Sequence, residues 1–229
     1  MSNEFNVKNK PYVILNAAMS LDGKIATVTG DSEFSSEADW QRVHKLRSEV
    51  DAIMVGINTI IKDDPKLYIK YYTVRNFLRI IIDSHARTPD MAQLFQMDLE
   101  KYPILIVTTE KAKLLDINRL KKKGATIFQT SGNDKVDLIQ LCEYLSTIGV
   151  KRLLLEGGGT LNYSMFQYGL IDEVIIAIAP VVVGGEDAVT LVEGRGVKSV
   201  KKGFFLQLNK IKKVGTNVVL FYRTITATR

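Results

Sequence analysis

The 229-residue sequence predicts an α/β fold: a mostly parallel central sheet with helices on both faces and a C-terminal antiparallel hairpin. Three observations point there. Apolar runs of strand length alternate with segments of helical periodicity, the pattern of strand–helix repeats. The strand-like runs are of the buried type, which suits a sheet covered on both sides. The last two, 204–214 and 218–222, are joined through Gly215-Thr216-Asn217 and read as a hairpin.

Residues 12–18 (Tyr-Val-Ile-Leu-Asn-Ala-Ala) form the first strand, ending in the polar turn Ser20-Leu21-Asp22-Gly23. Ser36 and Asp39 stand at capping-box spacing and open a helix whose apolar face is Trp40, Val43 and Leu46. A strand at 51–56 runs through Gly56 into a brief helix at 57–61. Asp63-Asp64-Pro65 stops that helix, because proline supplies no donor and drives the residue before it out of helical geometry. Strands follow at 78–83, 104–108 and 125–129, with helices at 111–122 and 136–148. A strand at 152–155 leads into Gly157-Gly158-Gly159-Thr160, then a helix at 160–168 and a strand at 173–179 that ends at Pro180. No repeat, low-complexity tract or linker divides the chain. One domain over 11–223 is expected, with tails at 1–10 and 224–229.

Composition excludes several classes of function. No stretch approaches the roughly 20 apolar residues needed to span a bilayer, and the N-terminus lacks the apolar core of a signal peptide. A cytoplasmic location is expected. The single cysteine, Cys142, rules out an intramolecular disulfide and a multi-cysteine metal site. It lies with Leu138, Leu141 and Leu145 on the buried stripe of a helix and reads as a core thiol. Two histidines, His44 and His85, are too few and too separated for a zinc cluster, so no metal site is expected. The net charge of +6 is scattered over lysines at helix ends and strand flanks. Without arginine-rich runs interleaved with aromatics, it describes a solvated surface suited to anionic ligands rather than a nucleic-acid binder.

Four segments carry chemistry. Gly157-Gly158-Gly159-Thr160 joins a strand directly to a helix, where glycine N–H groups and the helix N-terminus favour a phosphate. The alternative is a tight connection that merely needs glycine. Ser84 and Arg87 follow a strand's carboxyl end, where open α/β sheets bind ligands, and arginine suits a 2′-phosphate; a plain surface arginine is the alternative. Thr59 and Asp63, four residues apart, share one side of a helical turn and can orient a carboxamide or ribose hydroxyls, or serve only as helix punctuation. Asn16 is polar within an apolar strand, so it either bonds a neighbouring backbone or points into a site.

Together these segments resemble one family. The stretch from Asn16 to Ala26, the blocks Val43-His-Lys-Leu-Arg47, Asp51 to Thr59 and Asp63-Asp-Pro-Lys-Leu67, and Leu155-Glu-Gly-Gly-Gly-Thr-Leu161 with 169–173 and 179–185, follow in matching order the reductase of riboflavin biosynthesis. That family occurs as the C-terminal half of bacterial bifunctional deaminase-reductases and as a stand-alone enzyme in archaea and fungi. The resemblance covers about residues 11–223. It implies a dihydrofolate-reductase-like fold, a homodimer, and direct hydride transfer from NADPH, with NADH an alternative donor, to C1′ of a phosphorylated ribosylamino-pyrimidine. By the same resemblance the cofactor meets Ala18, Thr59, Asp63, Ser84, Gly157, Gly158, Gly159 and Thr160, extending toward Ser164, and Arg87 joins this set as the candidate for the 2′-phosphate. Substrate meets Asn16, Ser35, Arg47, Leu67, Lys70 and Glu156, and Glu156 is the catalytic candidate.

The sequence also departs from the family. Many relatives carry lysine where Asn16 stands and arginine at Lys70, and a tryptophan common near 33–34 is replaced by Glu33-Phe34. With one cysteine the chain cannot supply a zinc deaminase centre. The archaeal and fungal arrangement makes the expected substrate 2,5-diamino-6-ribosylamino-4(3H)-pyrimidinone 5′-phosphate. The alternatives are its deaminated uracil counterpart, a dihydrofolate reductase, or a nucleotide-binding module without turnover.

Overall fold

The computed structural model describes residues 9–74, 76–132 and 134–225, so most of both expected tails lies outside the described residues. In chain order the elements begin with strand β1 (Tyr12–Met19), helix α1 (Glu37–Ser48), β2 (Ala52–Gly56), α2 (Ile57–Asp63), β3 (Leu78–Ile82) and β4 (Ile104–Thr109). They continue with α3 (Leu114–Lys122), β5 (Thr126–Thr130), α4 (Leu138–Thr147), β6 (Arg152–Leu155), α5 (Gly159–Gln167), β7 (Glu173–Ile178), β8 (Leu206–Val214) and β9 (Asn217–Thr224). Strand β9 thus runs one residue beyond 223.

The chain divides into two compact units, each made of two stretches. The first holds His44–Leu154 with the described residues 9–11. Its strands follow the order β5-β4-β3-β2-β6. The pairs β2–β3, β3–β4 and β4–β5 are parallel. Consecutive residues Ala52 to Val55 and every residue of β4 are buried, the mark of strands covered on both faces. Asp51 ties this unit's ends together, its carboxylate accepting from the N–H groups of Lys151 and Arg152 at 2.8 Å each.

The second unit holds Tyr12–Val43 and the chain from Leu155 onward. Its strands follow β1-β7-β9-β8, with β1–β7 parallel and β7–β9 and β8–β9 antiparallel. The C-terminal hairpin turns on Gly215 and Thr216 alone, because Asn217 pairs with Val214 and belongs to β9. Gly215 takes φ 59, as a two-residue hairpin turn requires. Strand β8 is exposed along nearly its whole length and bears Lys210, Lys212 and Lys213, charges typical of a sheet edge.

Helix boundaries show where local signals compete. Ser36 Oγ accepts from Asp39 N–H at 3.3 Å, so the serine half of the capping box forms. The reciprocal bond does not: Ser36 N–H donates to Asn217 Oδ1 at 3.2 Å. Val43 and Leu46 are buried as expected, but Trp40 is 43% exposed and lies off that face. Helix α3 starts at Leu114 rather than 111, because Ala112 N–H turns back to the Thr109 carbonyl and Lys113 provides no side-chain cap. Helix α4 starts where Asp137 accepts from Ile139 and Gln140 N–H. Its Leu138, Leu141, Cys142 and Leu145 are all buried. Asp64 leaves the helix at φ 42, in the left-handed region rather than the extended one that a following proline favours. Its carboxylate there accepts from Gln93 N–H at 2.8 Å.

Candidate functional site

In the second unit the chain leaves β6 through Glu156, turns at Gly157 (φ 87) and enters α5. The Gly157–Gly158 peptide is cis. Gly158 is the N-cap and has no side chain to offer, so no cap side chain takes up the first-turn N–H groups of α5. That donor set suits a phosphate oxygen. The helix begins at Gly159 rather than Thr160. A Cβ at Gly159 would lie 2.5 Å from the Thr190 carbonyl oxygen and 2.7 Å from Glu193 Cγ. Here glycine is required by close approach, not by φ. Thr160, expected as cap or phosphate donor, is exposed and donates to Glu193 Oε2 at 3.0 Å. Glu156 is half-buried. Ser164 Oγ donates back to the Thr160 carbonyl at 3.1 Å.

The Ser20-Leu-Asp-Gly turn acts on this glycine turn from a distance. Asp22 accepts from Val183 N–H at 3.0 Å and from Gly184 N–H at 2.7 Å. The Ser20 hydroxyl, together with those two N–H groups, holds its carboxyl well below the ordinary carboxylate range. Leu21 N–H donates to the Val181 carbonyl, and Lys24 Nζ to the Ala188 carbonyl at 2.9 Å. The segment so clasped continues through Thr190 and Leu191 to Glu193, whose N–H donates to the Gly159 carbonyl. Asn162, fully buried on α5, donates Nδ2 to the Leu191 carbonyl at 2.8 Å.

Strand β1 carries Asn16 and Ala18, in register with Ile175 and Ala177 of β7. Asn16 is bonded by a side chain rather than by neighbouring backbone. Its Oδ1 accepts from Arg42 Nη1 at 2.9 Å. Ser35 Oγ donates to Asp39 Oδ2 at 2.7 Å.

In the first unit, Thr59 is half-buried and Asp63 exposed on α2, whose Ile57 and Ile60 are buried. Although Asp63 lies at the surface, crowding around its carboxyl raises its proton affinity, with Lys62 pulling the other way. Ser84 is half-buried in the turn after β3, and its carbonyl accepts from the N–H and hydroxyl of Thr109. Arg87 is exposed. Beneath it, Asp83 accepts from Thr88, and Arg119 donates to the carbonyls of Ala86 and Thr88, so the turn is fixed from inside.

Arg47, Leu67 and Lys70 meet around the irregular stretch 66–70. Arg47 is 6% exposed and donates Nη1 to the Tyr68 carbonyl at 2.9 Å. Leu67 is buried at φ 48, a left-handed conformation rare for a branched side chain. Lys70 is exposed, with Nζ 5.2 Å from the Tyr71 ring centroid. Sequence reading missed Arg42, Arg79, Asn162 and Glu193. Arg79 was within reach, as a lone charge inside the apolar run Leu78-Arg-Ile-Ile-Ile82; the others carry no local signal.

Among the described residues no group of three His, Cys, Asp or Glu is placed to hold a metal. Among the described residues no helix is long and apolar enough to cross a membrane.

These features define a mostly parallel α/β protein with C-terminal antiparallel strands and a glycine turn that opens helix α5. The fold is shared with dihydrofolate reductase from Enterococcus faecalis (TM-score 0.51, 8% identity, 94% of this chain and 97% of that one). Residues 11–220 match the RibD C-terminal domain, and the chain belongs to that family. It is 46% identical to the 2,5-diamino-6-ribosylamino-4(3H)-pyrimidinone 5′-phosphate reductase of Methanothermobacter thermautotrophicus, over 93% of this chain and 98% of that protein. Among solved structures it resembles RibD of Acinetobacter baumannii, with TM-score 0.79 and 23% identity over 94% of this chain and 58% of that one.

Proposed function

We propose that the chain is an NADPH-dependent reductase that converts 2,5-diamino-6-ribosylamino-4(3H)-pyrimidinone 5′-phosphate into its ribitylamino product. The observation that carries this reading is the 46% identity to a reductase of that name over nearly the full length of both chains. NADPH supplies the hydride; the chain's own residues bind, orient and exclude water. Holding the reactants in near-attack geometry contributes about 7 to 11 kcal/mol in favourable cases.

The glycine turn Gly157 to Thr160 takes the cofactor's phosphates, supported by a helix start whose cap has no side chain. Thr59, Asp63 and Ala18 orient its ribose and nicotinamide portions, and Ser84 with Arg87 meets the 2′-phosphate. Asn16, Ser35, Arg47, Leu67 and Lys70 serve the substrate. Glu156, at the exit of β6 next to the glycine turn, handles a proton or hydroxyl near C1′. The reductase domain spans 11–223 and works in the cytoplasm as a homodimer. Pairing of subunits is supported by Leu208, Ile211 and Val218, which are 46%, 58% and 42% exposed on β8 and β9.

NADPH oxidation, followed with the pyrimidinone and its deaminated uracil counterpart side by side, tests the reading. Turnover with the pyrimidinone at the higher kcat/KM is expected; turnover of dihydrofolate alone overturns it. Glu156→Gln should lower kcat/KM, and an unchanged value removes its assigned role.

A further inference from the structure

The polar network around the start of α1 contains a cation that the sequence-level site lacks. Arg42 Nε donates to Asp39 Oδ1 at 2.6 Å, and Nη1 to Asn16 Oδ1 at 2.9 Å. Asp39 has no solvent exposure and is held from its other oxygen by Ser35 Oγ at 2.7 Å. The third guanidinium nitrogen, Nη2, is buried and has no hydrogen-bond partner among the described residues. A charged donor cut off from both water and acceptor is costly, and such a group calls for an explanation beyond packing. The side chain as a whole keeps 16% of its surface open.

We propose that Arg42 is the cation of the substrate subsite at Asn16, with Nη2 directed to an oxygen of the phosphorylated ribose; this rests on the reductase reading above. Here a neutral amide occupies the strand, and the positive charge arrives from α1 through the bond to that amide. A planar guanidinium does this where an ammonium cannot, because its fork serves Asp39, Asn16 and a third acceptor in fixed directions. Asp39 and Ser35 are positioning residues: they fix the guanidinium plane and do not themselves meet substrate. Ser35, expected as a contact, thus acts through Asp39.

The test combines calorimetric titration with ribose 5-phosphate, which needs no turnover, and initial rates at saturating NADPH. Losing a charged hydrogen bond in Arg42→Gln should weaken ribose 5-phosphate binding and raise the ribosylamine KM by roughly tenfold or more. The NADPH KM should stay within about twofold, since the change removes nothing assigned to the cofactor. Arg42→Lys should fall between wild type and Arg42→Gln. Adding Asn16→Lys to Arg42→Gln returns the charge and should recover binding, which a merely structural arginine would not allow. Unchanged ribose 5-phosphate affinity in Arg42→Gln overturns the proposal, as does the same result in Arg42→Lys if the glutamine variant does not fold. A parallel rise in both KM values, or no binding by the wild type, also overturns it. Wild-type binding without NADPH oxidation sinks the reductase reading instead and leaves the calorimetric comparison to decide Arg42.

Discussion

Arg79 Nη1 donates to the Lys66 carbonyl at 3.1 Å from a strand position with no solvent exposure. Its Nε and Nη2 both reach the Tyr102 carbonyl. Burial pushes the guanidinium down to about 10, so it stays charged at neutral pH and is matched by carbonyl dipoles. The bond to Lys66 is one of four that hang the stretch 66–70 from side chains. Arg47 takes the Tyr68 carbonyl, Tyr102 Oη donates to the Ile69 carbonyl, and His44 Nδ1 accepts from Lys70 N–H. A segment outside helix and sheet must satisfy its backbone this way. Arg79→Met should therefore lower unfolding stability by about 3 kcal/mol in urea titration, because it strands the buried Tyr102 carbonyl and frees the part-buried Lys66 carbonyl. Stability within experimental error of wild type contradicts this account.

The clasp made by Asp22 gives an acid signature. Its folded carboxyl binds protons more weakly than the ordinary value of 3.8, so its contribution is whole above that pH and declines as pH falls below it. Asp22→Asn should melt below wild type at neutral pH, with the gap closing under acid conditions. A gap constant with pH means that the carboxylate's charge is not what holds Val183 and Gly184.

At Gly159 a methyl group would meet the Thr190 carbonyl, which is backbone and cannot swing aside. Gly159→Ala should cost roughly 1 to 3 kcal/mol by overpacking. It should also raise the NADPH KM by displacing the segment that borders the turn. An alanine variant with native melting temperature and native NADPH KM shows that the segment moves freely.

Glu193 places a carboxylate beside the first turn of α5, where Thr160 donates to it. Negative charge there competes with a bound phosphate for the same donors. Glu193→Gln should tighten NADPH binding by a few fold, about 0.3 to 1 kcal/mol for an exposed charge at a helix end. Fluorescence titration of NADPH reads the change, and weaker binding argues that Glu193 instead braces the turn.

Cys142 has no solvent exposure on the inner stripe of α4. Thiol reagents should label it only after denaturation, at the rate of unfolding. Fast labelling of the native protein places that helix face elsewhere.

Most of the element order was legible from the sequence because its causes are local. Apolar runs, Pro180, and the glycines at 157–159 act over a few residues, and the stripe of Leu138, Leu141, Cys142 and Leu145 is a period of one helix. Some errors were local, as at the start of α3, where Ala112 N–H turns back to the Thr109 carbonyl; others involved the rest of the fold. Trp40 fits the helical period of α1 yet is 43% exposed, and the reciprocal capping bond at Ser36 went to Asn217, 181 residues away.

The sequence by itself determined the strands and helices, the glycine turn that opens α5, and the blocks that carry the family resemblance. Tertiary structure alone decided what the polar side chains do. Asp22 meets Gly184 across 162 residues, Arg42 meets Asn16, and Arg79 meets Lys66. The physical reason is directionality. Apolar burial follows from periodicity and tolerates any neighbour of the right size, whereas a hydrogen bond needs one particular acceptor at about 3 Å in line with the donor, and only the folded chain supplies it.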